Sequence, residues 1–220
     1  MNASQINLRE QIAQAARLLV QAGVLSYSGH GNMSARLPEP SHMLLTSGGS
    51  LSTLTPQQLA IVNFDGTIVA GSLEPVTHEI VAMHTTVYRE RPDIQAIIHT
   101  HSPHVTSFAL AHIPLPCAYE ALLRFGVTTD IPVAAWGPRG SAASLRAIVT
   151  TLHNHPGTPA VLLANHGLLA FGTSILNTAH LVIAMEEAAA TTLGALALGG
   201  VQRFPPDALA QVRAHIAQFT

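Results

Sequence analysis

The sequence predicts an α/β fold in a single domain spanning residues 1–220. Three observations carry this. Helix-period and strand-period segments alternate from end to end, no linker or repeat interrupts them, and 220 residues suffice for one substantial core. The first helix is marked by Asn7 and Glu10 at capping-box spacing, apolar residues at Ile12, Ala15, Ala16, Leu19 and Val20, and Gly23 as a stop. A Gly- and Ser-rich turn follows over 26–34, then short strands at 33–37 and 42–46. Thr55-Pro56 has the form of an N-cap and first helical residue, so a short helix is expected there. Residues 61–64 and 67–70 flank Asp65-Gly66 and predict a β-hairpin. Residues 77–90 predict a helix that stops before Arg91-Pro92.

Residues 95–101 form a short buried strand, and Ser102-Pro103 opens a helix to about Ala111. Residues 112–130 read mostly as loop, with a short helix at 119–125. A strand at 132–136 and a helix at 141–153 come next. Two strands, 160–164 and 168–171, flank Asn165-His166-Gly167. Residues 174–198 form a long helix, and Pro206 opens a last one.

Composition removes several classes of function. Charged residues make up 10%, against roughly a quarter in an average globular protein. The net charge of −2 offers no basic surface for nucleic acid or an anionic membrane. Mean hydropathy is +0.32, yet the most apolar stretch, 179–201, is broken by Glu186 and Glu187, so no membrane span is expected. The opening MNASQINLRE lacks a charged segment followed by an apolar one, so no signal peptide is expected. A lone Cys117 excludes an intrachain disulfide and any CxxC motif; a cytoplasmic protein is the expectation. All ten basic residues are arginine. A chain without lysine has no amine for a Schiff-base aldolase, a pyridoxal-phosphate enzyme or a P-loop kinase. Thirteen histidines invite a search for metal ligands.

His99 and His101 stand two apart at a strand end. Residues i and i+2 of a strand share a face, so their imidazoles can converge on one ion. His166 occupies a second strand-end turn, where Gly167 permits a sharp bend and a close backbone approach. Three neutral imidazoles leave a coordination position open, as catalytic zinc sites do. A carboxylate should accompany such an ion, and Glu79, near a helix start, is the best placed. The same position equally suits a residue that only complements the helix dipole.

At these residues the sequence resembles the class II aldolase/adducin family, which includes fuculose-phosphate-type aldolases and ribulose-phosphate 4-epimerases. The resemblance covers about residues 8–190. It rests on SGHGNMS (28–34), LTSG (45–48), a stretch ending YRERPD (88–93), IHTHS (98–102) and NHG (165–167), in that order and spacing. It implies that His99, His101 and His166 bind a catalytic divalent ion, usually zinc, with manganese or cobalt as alternatives. It implies Glu79 as general acid/base, Asn32 in the substrate pocket, Ser47 and Gly48 at a phosphate oxygen, and Tyr119 as a proton donor. It further implies a three-layer α/β/α fold with a mixed, mostly antiparallel central sheet, and a homotetramer with active sites at subunit interfaces.

The chain departs from the family pattern in two places. Thr77 and His78 stand where two phosphate-binding serines usually precede the acid, leaving one hydroxyl and one ionisable ring for that task. Glu79 to His84 is five residues rather than four, which makes Glu74 the fallback carboxylate. The expected reaction is reversible aldol cleavage of a small ketose, ketose phosphate or hydroxy-keto acid through a metal-stabilised enediolate. Epimerisation, dehydration and decarboxylation would use the same site. A non-catalytic adducin-like interaction module is the reading from another class, and such modules lack the three histidines kept here. Cys117 as a nucleophile has only its loop position in favour, and packing is its ordinary role. Among the other histidines, His84, His104 and His180 are expected to pack or face water, while His30 is near enough to Asn32 to face the pocket. Trp136 and Met185 are expected in the core or an interface, and the apolar 179–200 segment in a subunit contact.

Overall fold

The computed structural model describes residues 3–217. In chain order the elements are α1 (Ala3–Gln21), β1 (Gly31–Arg36), β2 (His42–Thr46), β3 (Leu59–Asn63), β4 (Ile68–Ala70), α2 (His78–Glu90), β5 (Ala96–Thr100), α3 (Pro103–Ala111), α4 (Glu120–Arg124), β6 (Val133–Ala134), α5 (Ala142–Asn154), β7 (Ala160–Leu163), β8 (Gly167–Gly172), α6 (Ile175–Ala197) and α7 (Ala208–Ile216). A single 3-10 turn, Pro75–Thr77, leads into α2.

The strands form one eight-stranded sheet in the order β4-β3-β2-β1-β5-β8-β7-β6. All neighbours are antiparallel except β6 and β7, which are parallel. The sheet is therefore mixed and mostly antiparallel, as the resemblance implies. β1 and β5 lie at its centre, and β5 is buried at all five residues. Alternation along β5 splits its side chains between two cores. Ala96 and Ile98 join the helices α1, α3, α4 and α6 on one face, while Ile97 joins α2 and α5 on the other. Three layers result, with β5 carrying its far end into the second of these faces.

Several sequence expectations are corrected. α1 begins at Ala3, so Asn7 and Glu10 lie inside it; once a helix has nucleated, one more turn is gained at little cost, which overrides the capping-box spacing. Thr55-Pro56 opens no helix. The Gln58 side chain accepts from the Thr55 backbone N–H and hydroxyl, closing a turn, and β3 must start at Leu59. The apolar 179–200 segment packs largely within its own chain: Ala179, Leu181, Val182, Ala184, Met185, Ala188 and Ala189 are all buried in the core that α6 shares with α1, α3 and the sheet. Its large apolar side chains are exposed only toward its end, at Leu193, Leu196 and Leu198. Met185 is core, whereas Trp136, expected in the core or an interface, is 61% exposed and so lies outside the core of its own chain. Among the described residues, no helix is long and apolar enough to cross a membrane.

Candidate active site

The centre of the sheet and the α2/α5 face meet in a cavity of roughly 420 Å³. Two strand ends build its floor. β5 delivers His99, and the chain continues extended so that His101 projects to the same side. The turn between β7 and β8 brings His166, because β8 is the antiparallel neighbour of β5. Asn165 holds a left-handed φ of 58° in that turn. Gly167 then passes so close to β5 that a Cβ would lie 2.5 Å from the Thr100 carbonyl oxygen and 2.9 Å from His101 Cδ2. Glycine is required there by contact rather than by φ.

The three rings converge. Their centroids are 4.7 to 5.0 Å apart, and one ligand nitrogen from each lies within 4.8 Å of the others. The Nε2 atoms of His99 and His101 are 3.2 Å apart. A tetrahedral ion with bonds of roughly 2.0–2.1 Å would set its nitrogen ligands about 3.3 Å apart, so this pair has the right span. His99 Nδ1 is 2.8 Å from the Leu168 carbonyl. A carbonyl can only accept, so Nδ1 carries the proton and Nε2 keeps its lone pair for a metal. Burial, followed by the His166 and His101 charges, pushes His99 well below the ordinary histidine value. Burial does the same to His166, down to about 4, with His101 and Arg139 assisting. His101 is lowered by burial, then by His30 and Arg139. In all three rings the shift favours the neutral form, the form that binds metal.

Asn32 on β1 pairs across the sheet with His99 and lines the cavity beside it. Its Oδ1 lies 2.6 Å from His84 Nε2. Glu79 lines the cavity from the first turn of α2 and receives Arg139 Nε at 2.8 Å. Gly140, at φ 74°, lets the 137–140 loop close on Glu79, since a Cβ there would meet the Glu79 Cβ at 3.1 Å. Ser47, Gly48 and Thr77 line the opposite wall. Thr77 donates its hydroxyl to the Ser47 carbonyl, so that hydroxyl is already engaged. Glu74 turns its carboxylate toward Gly48, with Oε1 2.6 Å from where a Cβ would stand. His30 lines the mouth.

Two of the sequence candidates are not brought to this cavity. His78 is exposed and lies outside its lining. Its neighbour Thr77 faces in, and adjacent residues at a helix start point in different directions. Tyr119 sits at the N-cap of α4, and its hydroxyl donates to Glu187 on α6, away from the cavity of its own chain. Cys117 is buried against the Val127 carbonyl, in a packing role. His104 caps nothing catalytic either: Glu186 accepts from its ring and from the backbone N–H of His104 and Val105. Arg139 and the buried His84 were missed. Arg139 gave no sequence signal beyond its Gly-flanked loop. His84 gave one, because it shares a helix face with Tyr88 four residues later.

The Class II Aldolase and Adducin N-terminal domain matches residues 10–193 of this chain. A 5-methylthioribulose-1-phosphate/5-deoxyribulose-1-phosphate aldolase of Rhodospirillum rubrum is 29% identical over 213 residues, covering 96% of this chain and 92% of the relative. A 5-deoxy-D-ribulose 1-phosphate aldolase of Bacillus thuringiensis serovar kurstaki is 30% identical over 168 residues, covering 76% and 75%. Among solved structures, an L-fuculose 1-phosphate aldolase superposes with a TM-score of 0.82 at 24% identity, covering 99% of this chain and 98% of that one, which speaks to the fold.

Proposed function

The chain belongs to the class II aldolase and adducin N-terminal domain family, and from that premise we propose that it is a metal-dependent aldolase, a carbon–carbon lyase acting on a small ketose, ketose 1-phosphate or hydroxy-keto acid. One observation supports this above the others: three neutral imidazoles whose nitrogens lie within 4.8 Å of one another in a cavity that also holds a carboxylate and a carboxamide. His99, His101 and His166 would hold one divalent ion, zinc by the nature of its three nitrogen donors. When bound, that ion supplies Lewis-acid stabilisation of negative charge next to a carbonyl, the task a lysine iminium performs in other aldolases.

The chain's own residues do the rest. Glu79 moves the proton at the nucleophilic carbon, with Arg139 fixing the orientation of its carboxylate. Asn32 donates to a substrate oxygen next to His99. Ser47 and Gly48 receive the far end of the substrate. Glu74 beside Gly48, and the engaged Thr77 hydroxyl, make that end less suited to a phosphate than a pair of free serines would be, which keeps the non-phosphorylated ketose in the proposal. Tyr119, which points away from its own chain's cavity, would act in a neighbouring chain's cavity of the homotetramer that the resemblance implies, taking the proton from the hydroxyl that becomes the aldehyde in cleavage and returning it to that oxygen in condensation.

For a 5-deoxyribulose 1-phosphate, cleavage between C3 and C4 would give dihydroxyacetone phosphate and acetaldehyde. The test is a panel of zinc-loaded assays with that ketose phosphate, 5-methylthioribulose 1-phosphate, L-fuculose 1-phosphate, the corresponding free ketoses and a 4-hydroxy-2-keto acid, reading release of the aldehyde. Release from at least one is expected. No cleavage of any, by protein carrying one zinc per chain, would overturn the proposal.

A further inference from the structure

His84 lies on α2 one turn before Tyr88, and both face the sheet. The two side chains and Ser34 of β1 are almost wholly inaccessible, at 0%, 1% and 0% exposure. Ser34 Oγ is 2.9 Å from the Tyr88 hydroxyl and 2.6 Å from His84 Nδ1. On its other side, His84 Nε2 is 2.6 Å from Asn32 Oδ1. Four side chains thus form one buried line from Tyr88 through Ser34 and His84 to Asn32.

Counting donors fixes the protons along it. Among the described residues, Ser34 Oγ is the one hydrogen-bond partner of the Tyr88 hydroxyl. Were Ser34 to donate to Tyr88, the buried phenolic hydrogen would have no acceptor, an expensive arrangement. Tyr88 therefore donates to Ser34, and Ser34 donates to His84 Nδ1. A neutral ring with a bare Nδ1 carries its hydrogen on Nε2 and gives it to an acceptor, the Asn32 oxygen. Burial keeps the ring neutral, pushing His84 down to about 3. The Asn32 carboxamide is then held oxygen-inward. Its NH2 group meets no protein acceptor among the described residues, and Asn32 lines the cavity opposite His99.

We propose that His84 is a positioning residue: held by Ser34 and Tyr88, it fixes the Asn32 carboxamide so that its two N–H bonds face the cavity beside the metal-binding histidines, there to donate to a substrate oxygen that gains negative charge. The reverse orientation would present a carbonyl oxygen to that charge and repel it. The use of these donors rests on the aldolase reading above; their orientation does not.

The test uses the full zinc-loaded chain. Nitrogen-15 NMR of the imidazoles at pH 7, with His84 assigned, is expected to show a protonated Nε2 and a bare Nδ1. The opposite tautomer would overturn the proposal. In kinetics, Asn32→Ala and His84→Phe are each expected to lower kcat/KM on the order of 10- to 100-fold, the range for groups that orient others, with zinc content unchanged. The double variant should fall no further than Asn32→Ala alone. Losses that multiply would mean His84 acts independently of Asn32 and would overturn the proposal. Should His84→Phe not fold, Ser34→Ala takes its place: a mixed His84 tautomer and a lowered kcat/KM are expected, and wild-type shifts with wild-type kinetics would contradict it. A chain that shows the expected tautomer but cleaves no ketose would sink the aldolase reading and leave the orientation standing.

Discussion

His99 is the residue on which the proposed site turns, because it is a proposed metal ligand, a central-strand residue and a hydrogen-bond donor to Leu168 at once. His99→Ala is expected to abolish stoichiometric zinc and to reduce cleavage to background, read by elemental analysis and aldehyde release on the same sample. A zinc-bearing His99→Ala protein with full activity would contradict the ligand assignment. His84 makes a separate prediction through pH. Its folded-state pKa is depressed to about 3, against an ordinary value of 6.5. Between those values the unfolded chain binds a proton that the folded chain does not. The contribution is therefore fully present above pH 6.5 and is lost as pH falls toward 3. From pH 7 to pH 5 the loss from this group is about 2 kcal/mol. Urea melts of wild type and His84→Phe should show the smaller acid sensitivity in the variant; equal sensitivity would contradict it. The convergence of the three rings was legible because strand alternation puts 99 and 101 on one face whatever the tertiary fold. The direction of Tyr119 was not legible, because at a loop position it depends on packing with α6, which no local spacing encodes.

Elements place these residues through close backbone approaches. Gly167 and Gly31 flank β5 from either side: a Cβ at Gly31 would lie 2.6 Å from the His99 carbonyl oxygen, and one at Gly167 2.5 Å from that of Thr100. Both neighbours are backbone, so they cannot swing aside. Gly167→Ala is expected to destabilise the fold by about 1–3 kcal/mol. By spreading β5 from β8 it should also weaken zinc affinity at least tenfold, as judged by competition with a chelating dye. Wild-type stability and affinity in this variant would contradict the account. Most elements were readable: β2 matches its expected range of 42–46, and the Asp65-Gly66 hairpin forms with Asp65 Oδ1 accepting from Thr67. The misreadings at Asn7 and Thr55-Pro56 share a cause. Cap chemistry marks where a helix is allowed to start, whereas its length depends on what the neighbouring chain must do next.

At the scale of the molecule, the site draws on both halves of the sheet, since β1 and the loop after β2 line it from one half, and β5, the end of β7 and the turn before β8 from the other. An ion held by His99, His101 and His166 would tie the end of β5 to the β7–β8 turn, so binding and folding should be coupled. At a hundredfold excess over its dissociation constant, zinc should add about 2.7 kcal/mol. For a chain of this size that is a rise in Tm on the order of 5–10 °C. Differential scanning fluorimetry with and without chelator should show it in the wild type and not in His99→Ala. The hydropathy of 179–200 misled at this scale because an apolar helix looks alike in sequence whether it covers its own sheet or a partner; the buried residues from Ala179 to Ala189 answer for the first.

The most direct test of the whole is an activity titration. The chain is stripped of metal with a chelator, then given zinc in fractions of an equivalent while ketose phosphate cleavage is followed. The account predicts no cleavage at the start, a linear rise, and a plateau at one zinc per chain. Full cleavage by the stripped protein would contradict it.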